Sequence, residues 1–369
     1  MNNIACFPGK YIQGSGAILK LESIINQFGS KAVVLTSKSA QKHLPVNFSQ
    51  LPLSSSLCIE IFKGECCEAA LENLAHTIKK SKADVMVGMG GGKVIDTAKI
   101  AADRAGIPVI IVPTIASTDA PCSGCAVTYT PEGIFEKVHY QRLNPSVVLV
   151  DVDIIAQAPL RFLIAGMGDA LATWFEARSC STTSAVNECG GLSTLAGLNI
   201  ARLCYDTLLT YGLRAKLEHE SGEVNSALNH IIEANILLSG IGFESGGLAA
   251  AHAIHNGLTA VPETHSFYHG EKVAFGLLAG LHMNAATSEE LHEVYGFCVS
   301  VGLPICFSDI GLANITHEKL MQIAQKSVET GSSIHHEAGE IRAERVYDAL
   351  IKADAFGRHF ILKSQKHHG

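Results

Sequence analysis

One carboxylate and three imidazoles stand in segments of this chain that could build a metal site. Asp169 lies in Ala165–Thr173, His252 and His255 in Ala251–Gly257, and His269 in Tyr268–Val273. A carboxylate with two imidazoles is a hard-to-borderline donor set suited to zinc or ferrous iron. Upstream, Val85–Asp96 sets three consecutive glycines, Gly90, Gly91 and Gly92, between an apolar run and a helical pattern. Glycines let the backbone approach a pyrophosphate, and a helix N-terminus offers it N–H groups and partial positive charge. A nucleotide turn together with such a metal site implies metal-assisted hydride transfer.

Each of these residues also has a plainer reading. His252 and His255 are three apart, so they share one face of a predicted helix. His269 should open the next helix, after the loop Val261–Tyr268. Asp169 follows Gly168 at what reads as a helix start, where aspartate also serves as an N-cap. A lone buried histidine is more often a hydrogen-bonded core residue than a ligand. As a group they favour ligation, because Asp169 and His269, both at helix starts, can face a common cleft. His265, in the loop before His269, reads as solvated.

The glycine turn misses the strict fingerprints. The dinucleotide pattern G-x-G-x-x-G needs glycine at 93, which is Lys93. The P-loop needs glycine at 87 and serine or threonine at 94, which are Val87 and Val94. A glycine-rich turn with no ligand therefore stays open. A second turn, Pro113–Ser123, follows the next apolar run with small hydroxyl residues suited to ribose or phosphate, or to a simple turn. Cys122-x-x-Cys125 lacks thioredoxin-like surroundings or a second ligand pair, and reads as two ordinary thiols.

The elements that must carry these residues fall into two kinds. Strand candidates are Lys31–Thr36, Leu57–Phe62, Asp84–Gly88, Pro108–Val112 and Ser146–Asp151, with helices such as Cys67–Ser81 and Lys93–Ala105 between them. Strands apolar throughout and separated by helices indicate a parallel sheet covered on both faces. After about Asp153 the pattern is helical: 168–180, 190–211, 223–238, 248–258, 272–286, 289–301, 317–329 and 344–360. The expected fold is α/β plus all-α. A Rossmann-like parallel domain at 1–160 precedes a helical metal- and substrate-binding domain at 161–369, with the active site in the cleft between.

Composition narrows the function. The chain of 369 residues is 47% hydrophobic and 17% charged, with net charge −7. No basic run could track a nucleic-acid backbone. No apolar run reaches the ~18 residues of a membrane span. The N-terminus lacks the basic and apolar regions of a signal peptide. Eleven scattered cysteines are an odd number in a large chain, which points to a reducing cytoplasm rather than a disulfide scaffold.

Longer stretches resemble one family, the glycerol dehydrogenases of the metal-dependent (iron-type) alcohol dehydrogenase superfamily. They are residues 8–14, 90–93 with 96–99, 113–123, 168–178, 242–257 and 269–276. The resemblance spans nearly the whole chain. It implies zinc held by Asp169, His252 and His269. It implies NAD bound by Gly90, Gly91, Gly92, Lys93, Asp96, Thr114, Ser117, Ser123, Cys125 and Tyr129, with Asp119 contacting the polyol. Where the wider superfamily often carries a histidine four residues after the ligand aspartate, this chain has Thr173, as suits a three-ligand zinc site. NAD-using relatives usually carry an acid after the first strand for the ribose 2′-hydroxyl. Ser37 stands there, beside Lys38, and implies relaxed cofactor choice with NAD preferred.

The implied reaction is reversible oxidation of glycerol to dihydroxyacetone, a zinc-bound alkoxide passing hydride from C2 to nicotinamide C4. Asp119 would hold a second hydroxyl. His255 is a candidate proton relay, with a structural histidine as the alternative. Phe243 could line the pocket or the core. Dehydrogenases of 1,2-propanediol or 2,3-butanediol are the nearest alternatives. A dehydroquinate-synthase-like lyase is more remote, because these segments offer mainly Lys272 for an anionic substrate, with Glu263 and Glu271 close by. The family also implies a homo-oligomer, often octameric.

Overall fold

Six strands pair side by side, and the four central ones are buried almost throughout and so need helices above and below. They are β1 (Tyr11–Gly14), β2 (Lys31–Thr36), β3 (Ser56–Ile61), β4 (Val85–Gly90), β5 (Val109–Pro113) and β8 (Val147–Asp151), all parallel in the order β1-β8-β5-β4-β2-β3. The two remaining strands, β6 (Cys125–Tyr129) and β7 (Phe135–Tyr140), form an antiparallel hairpin. These observations come from a computed structural model, which describes residues 1–42 and 56–366. The five expected strands lie within one or two residues of their expected bounds. β1 and the hairpin were not expected: β1 has four residues, and β7 is largely exposed, so neither shows a clear apolar run.

The chain forms two compact units. The first comprises Cys6–Phe162 with Glu218–Gly240, and holds the sheet. Its strand order reverses between β2, whose next strand lies on one side, and β4, whose next strand lies on the other. Open α/β sheets bind ligands at the carboxyl ends of strands at such a point. The residues there are Ser37, after β2, and the glycine turn after β4. Gly88 brings the Gly92–Ala105 helix down onto the sheet, since a Cβ at Gly88 would stand 2.6 Å from Ala98 Cβ.

The second unit comprises Met1–Ala5, Leu163–Leu217 and Ile241–Gly369. Past Val152 the described residues form helices, as expected. The segment read as one helix, 223–238, is instead Ser226–Glu233 followed by a π-helical turn, Ala234–Leu238, which passes directly into the Ser239–Gly246 helix. Among the described residues no helix is long and apolar enough to cross a membrane. All eleven cysteines are free thiols, Cys122 and Cys125 included.

Candidate active site

Three helices of the second unit meet at glycines. The Leu160–Thr183 helix crosses the His269–Met283 helix where Gly168 faces Gly270. A Cβ at Gly270 would collide with the Ala165 carbonyl, and one at Gly168 with the Gly270 carbonyl. The Ala250–Leu258 helix touches His269–Met283 at Gly276, where a Cβ would strike the Ala251 carbonyl. Backbones this close bring the neighbouring residues, Asp169, His252 and His269, together.

Asp169 therefore does not start a helix. It sits in the middle of Leu160–Thr183, which begins nine residues earlier than its side chain needs, so the N-cap reading of Asp169 is set aside. The local pattern does not show the early start because residues 160–167, apolar apart from Arg161, have no clear period. His269 does open its helix, as expected.

The Asp169 carboxylate is fully buried, with Oδ1 3.1 Å from His269 Nε2 and 3.4 Å from His252 Nε2. One ligand atom from each of these three residues lies within 4.8 Å of the others. The far nitrogens are held from behind. Glu176, 2% exposed, sets Oε2 2.6 Å from His252 Nδ1, while its Oε1 accepts from the backbone N–H of Ala249 (2.8 Å) and of His252 (3.0 Å). His269 Nδ1 lies 3.0 Å from His255 Nε2, and His255 Nδ1 lies 3.0 Å from Asn256 Oδ1. A carboxylate or ring behind each imidazole fixes its tautomer and turns Nε2 inward, as around metal ions. The donor set and its backing fit a divalent ion of the zinc or iron kind.

The charges agree with this geometry. Burial alone would raise the Asp169 carboxyl, but the charges and hydrogen bonds of His269 and His252 hold it well below the usual carboxylate range. Burial alone would lower His252, but Glu176 and Asp169 push it well above an ordinary imidazole. Burial, then His269 and Lys272, push His255 well below the ordinary value and keep it neutral.

Glu176 lies within the segment 168–178, and sequence reasoning gave it no role. It is two helical turns after Asp169, and that spacing on one face was the available signal. Glu337 was missed altogether. Its buried carboxylate accepts from Ala250 N (3.1 Å) and Asn284 Nδ2 (2.8 Å), so two acids cap the helix that carries His252. Thr173, one turn after Asp169, is fully buried. His265 is exposed.

In the first unit, Gly90 ends β4, Gly91 is the N-cap of the Gly92–Ala105 helix with no side-chain cap, and Gly92 begins it. A Cβ at Gly92 would find its nearest atom 3.9 Å away, so packing does not require glycine there. Open space over an uncapped helix N-terminus fits a bound pyrophosphate. Lys93 Nζ is 2.5 Å from Glu65 Oε1 and 5.6 Å from the Tyr129 ring centroid. Asp96 accepts from Val127 N at 3.2 Å. Thr114 follows β5, with its N–H on the Gly90 carbonyl (3.1 Å), and Ser117 is half-buried in the same turn. Ser123 is buried, Cys125 opens β6 with Sγ 3.4 Å from Ser123 Oγ, and Tyr129 closes β6. Ser37 Oγ accepts from Ala40 N at 3.1 Å. Asp119 is buried and its Oδ2 accepts from Ser239 Oγ at 2.8 Å. Phe243 is buried in the Ser239–Gly246 helix.

Comparison with known proteins agrees with this architecture. Residues 8–152 match the family described as iron-containing alcohol dehydrogenase. The chain is 49% identical over 353 residues to a glycerol dehydrogenase of Thermotoga maritima, covering 95% of this chain and 97% of that one. Among solved structures, glycerol dehydrogenase from Schizosaccharomyces pombe superposes with TM-score 0.94 at 35% identity, covering 99% of this chain and 93% of that one. A probable glycerol dehydrogenase from Sinorhizobium meliloti 1021 superposes with TM-score 0.91 at 41% identity, covering 97% and 99%.

Proposed function

The chain belongs to the iron-containing alcohol dehydrogenase family, among its glycerol dehydrogenases, and on that premise we propose that it is an NAD-linked oxidoreductase interconverting glycerol and dihydroxyacetone. The observation that carries this reading is the Asp169–His252–His269 cluster with its inward-facing ligand atoms. We assign zinc to it, because three protein ligands, with Thr173 where a fourth could stand, leave the open position of a catalytic zinc site. When bound, zinc would supply a Lewis acid that acidifies the hydroxyl to be oxidised, and NAD a hydride acceptor at nicotinamide C4. The net change is loss of hydride from C2 of glycerol and of the hydroxyl proton.

The chain's own groups would bind and orient. Asp119, its carboxylate steered by Ser239 Oγ, would accept a hydrogen bond from a second hydroxyl and so favour polyols over simple alcohols. Phe243 would line the carbon skeleton. His255, kept neutral, would accept from His269 Nδ1–H at its Nε2 and so hold the His269 ring with its Nε2 toward the metal. The N-terminus of Gly92–Ala105 would take the pyrophosphate, with Thr114, Ser117, Ser123, Cys125 and Tyr129 around the cofactor. Ser37 brings no negative charge to the strand end where a ribose 2′-group would lie, so NADP should be used appreciably, with NAD preferred. A ratio of NAD to NADP efficiency as lopsided as in an acid-bearing relative would refute that point. Exposed leucines on the Leu195–Ser221 helix, Leu195, Leu203, Leu213 and Leu217, support assembly as a homo-oligomer, which light scattering would test.

The deciding experiment strips the metal with chelator, titrates zinc, and follows NADH formation from glycerol. Activity should return with about one zinc per chain, as a single three-ligand site requires. A folded protein that forms no NADH at any zinc level would overturn the reading.

A further inference from the structure

Lys99 is one of the most deeply buried charged side chains in the first unit, 1% exposed on the Gly92–Ala105 helix. Its ammonium lies 2.8 Å from the Ala120 carbonyl, 3.0 Å from the Ser123 carbonyl and 3.3 Å from Ser123 Oγ, and it also donates to the Cys125 carbonyl. The Asp96 carboxylate is 3.9 Å away. Burying a charge is costly unless donors and acceptors match. An ammonium has three N–H groups, and here they meet oxygens converging from a single turn. Three carbonyls aimed at one point would repel each other without a cation between them. A leucine or methionine would fill the same volume but offer those carbonyls no donor, leaving Ser123 Oγ as the side-chain donor to the Ala120 and Cys125 carbonyls.

The turn that Lys99 gathers is the one between Asp119 and Cys125. Its other side is held independently. Ser239 Oγ donates to the Asp119 carboxylate, Asn235 Nδ2 donates to the Ala116 carbonyl at 3.0 Å, and a Cβ at Gly240 would stand 2.9 Å from both the Asp119 carbonyl and Cys122. Asn235 sits in the π-helical turn, an element that recurs at functional sites. One end of the turn carries Asp119 and the other Ser123 and Cys125. Three residues before Lys99, Asp96 anchors Val127 of the following strand.

We propose that Lys99 is a positioning residue that joins the cofactor-cradling helix to the turn bearing Asp119, so that one buried ammonium sets the cofactor contacts and the polyol-binding carboxylate together. This rests on the functional reading above, since it needs Ser123 and Cys125 to meet the cofactor and Asp119 the polyol. Lys99 touches neither ligand and acts through the turn.

The test compares zinc-loaded wild type with Lys99→Met and Lys99→Gln. In Lys99→Met the NAD Kd and the glycerol KM should each rise on the order of tenfold, the size expected for losing hydrogen bonds from a charged donor. Preference for glycerol over 2-propanol should fall, and zinc per chain should stay unchanged. Lys99→Gln, which restores N–H donors without charge, should recover part of both. Wild-type Kd and KM in a folded Lys99→Met protein would overturn the proposal, even if its melting temperature fell. Should both variants fail to fold, hydrogen exchange of residues 114–125 in the wild type decides. A turn already protected without NAD supports Lys99 as its organiser, and one that exchanges freely until NAD binds refutes it. Wild type that neither binds NAD nor forms NADH would sink the functional reading instead, and the exchange result would still judge the clamp.

Discussion

Glycine serves helix contact in the metal cluster and, at Gly92, open space at the nucleotide turn. Gly168, Gly270 and Gly276 stand where a Cβ would strike a neighbouring backbone, and the side chains beside them become ligands only because those backbones touch. Gly92 has nothing within 3.9 Å of its missing Cβ. The first region is built from side chains of three helices, each needing support from a buried partner such as Glu176. The second is built from backbone N–H groups that one strand–turn–helix unit supplies by itself. A side-chain site should therefore fail sharply when its packing is altered, and a backbone site should weaken while the fold stands.

The largest effect should come from Gly270→Ala. The new methyl meets the Ala165 carbonyl, and overpacking of this kind costs about 1–3 kcal/mol. Denaturant unfolding should show the loss, and metal analysis should show less than one ion per chain. Full metal content and unchanged stability would mean that the helix crossing does not position the cluster.

Next is Glu176→Gln. Loss of a carboxylate behind a ligating histidine typically lowers metal affinity by about 10–100-fold. Competition with a fluorescent chelator would measure it. Equal affinity in mutant and wild type would reduce Glu176 to a helix cap.

A third test uses pH. His252 has its folded pKa raised in the metal-free protein. Its contribution to stability is therefore complete below the unfolded value of ~6.5 and lost as pH rises through the folded value. Asp169 has its folded pKa depressed, so its contribution is present above ~3.9 and lost as pH falls through the folded value. The stripped protein should melt highest between those limits and decline above them. The loaded protein should behave oppositely above ~6.5, because protons compete with the metal for His252. Parallel melting curves for the two forms across that range would contradict the assignment of His252 as a ligand.

The smallest effect is Gly92→Ala. Alanine relieves glycine's entropic cost in a helix, about 0.5–1 kcal/mol, so stability should hold or rise slightly. NAD affinity should nevertheless fall, read by calorimetry, because the methyl enters the space over the helix N-terminus. Unchanged affinity would show that the cofactor does not approach Gly92.

The two regions were not equally legible in the sequence. Around the nucleotide turn the strand, the glycines and the helix are contiguous, so local pattern located them within one or two residues. The identities of Asp169, His252 and His269 were legible as chemistry, and the resemblance named them as a set. The position of Asp169 on its helix was not, since an apolar stretch hides the true helix start. Glu176 left only a two-turn spacing as its signal. Lys99 lies in the resembling stretch 96–99, but neither it nor Glu337 left a signal of its role, because a lysine or glutamate on a helix normally reads as solvated, and only packing reveals that these are buried.

Local order came from the sequence alone: which runs become strands, where glycine replaces a side chain, and which donor types the chain offers to a metal. Those properties follow from backbone sterics and apolar periodicity, which act over a few residues. Tertiary structure alone decided which donors meet, which acids stand behind them, and why residues 218–240 return to the sheet-bearing unit to hold the turn at Asp119. Such arrangements depend on helices separated by scores of residues touching at single glycines, and no local pattern encodes that distance.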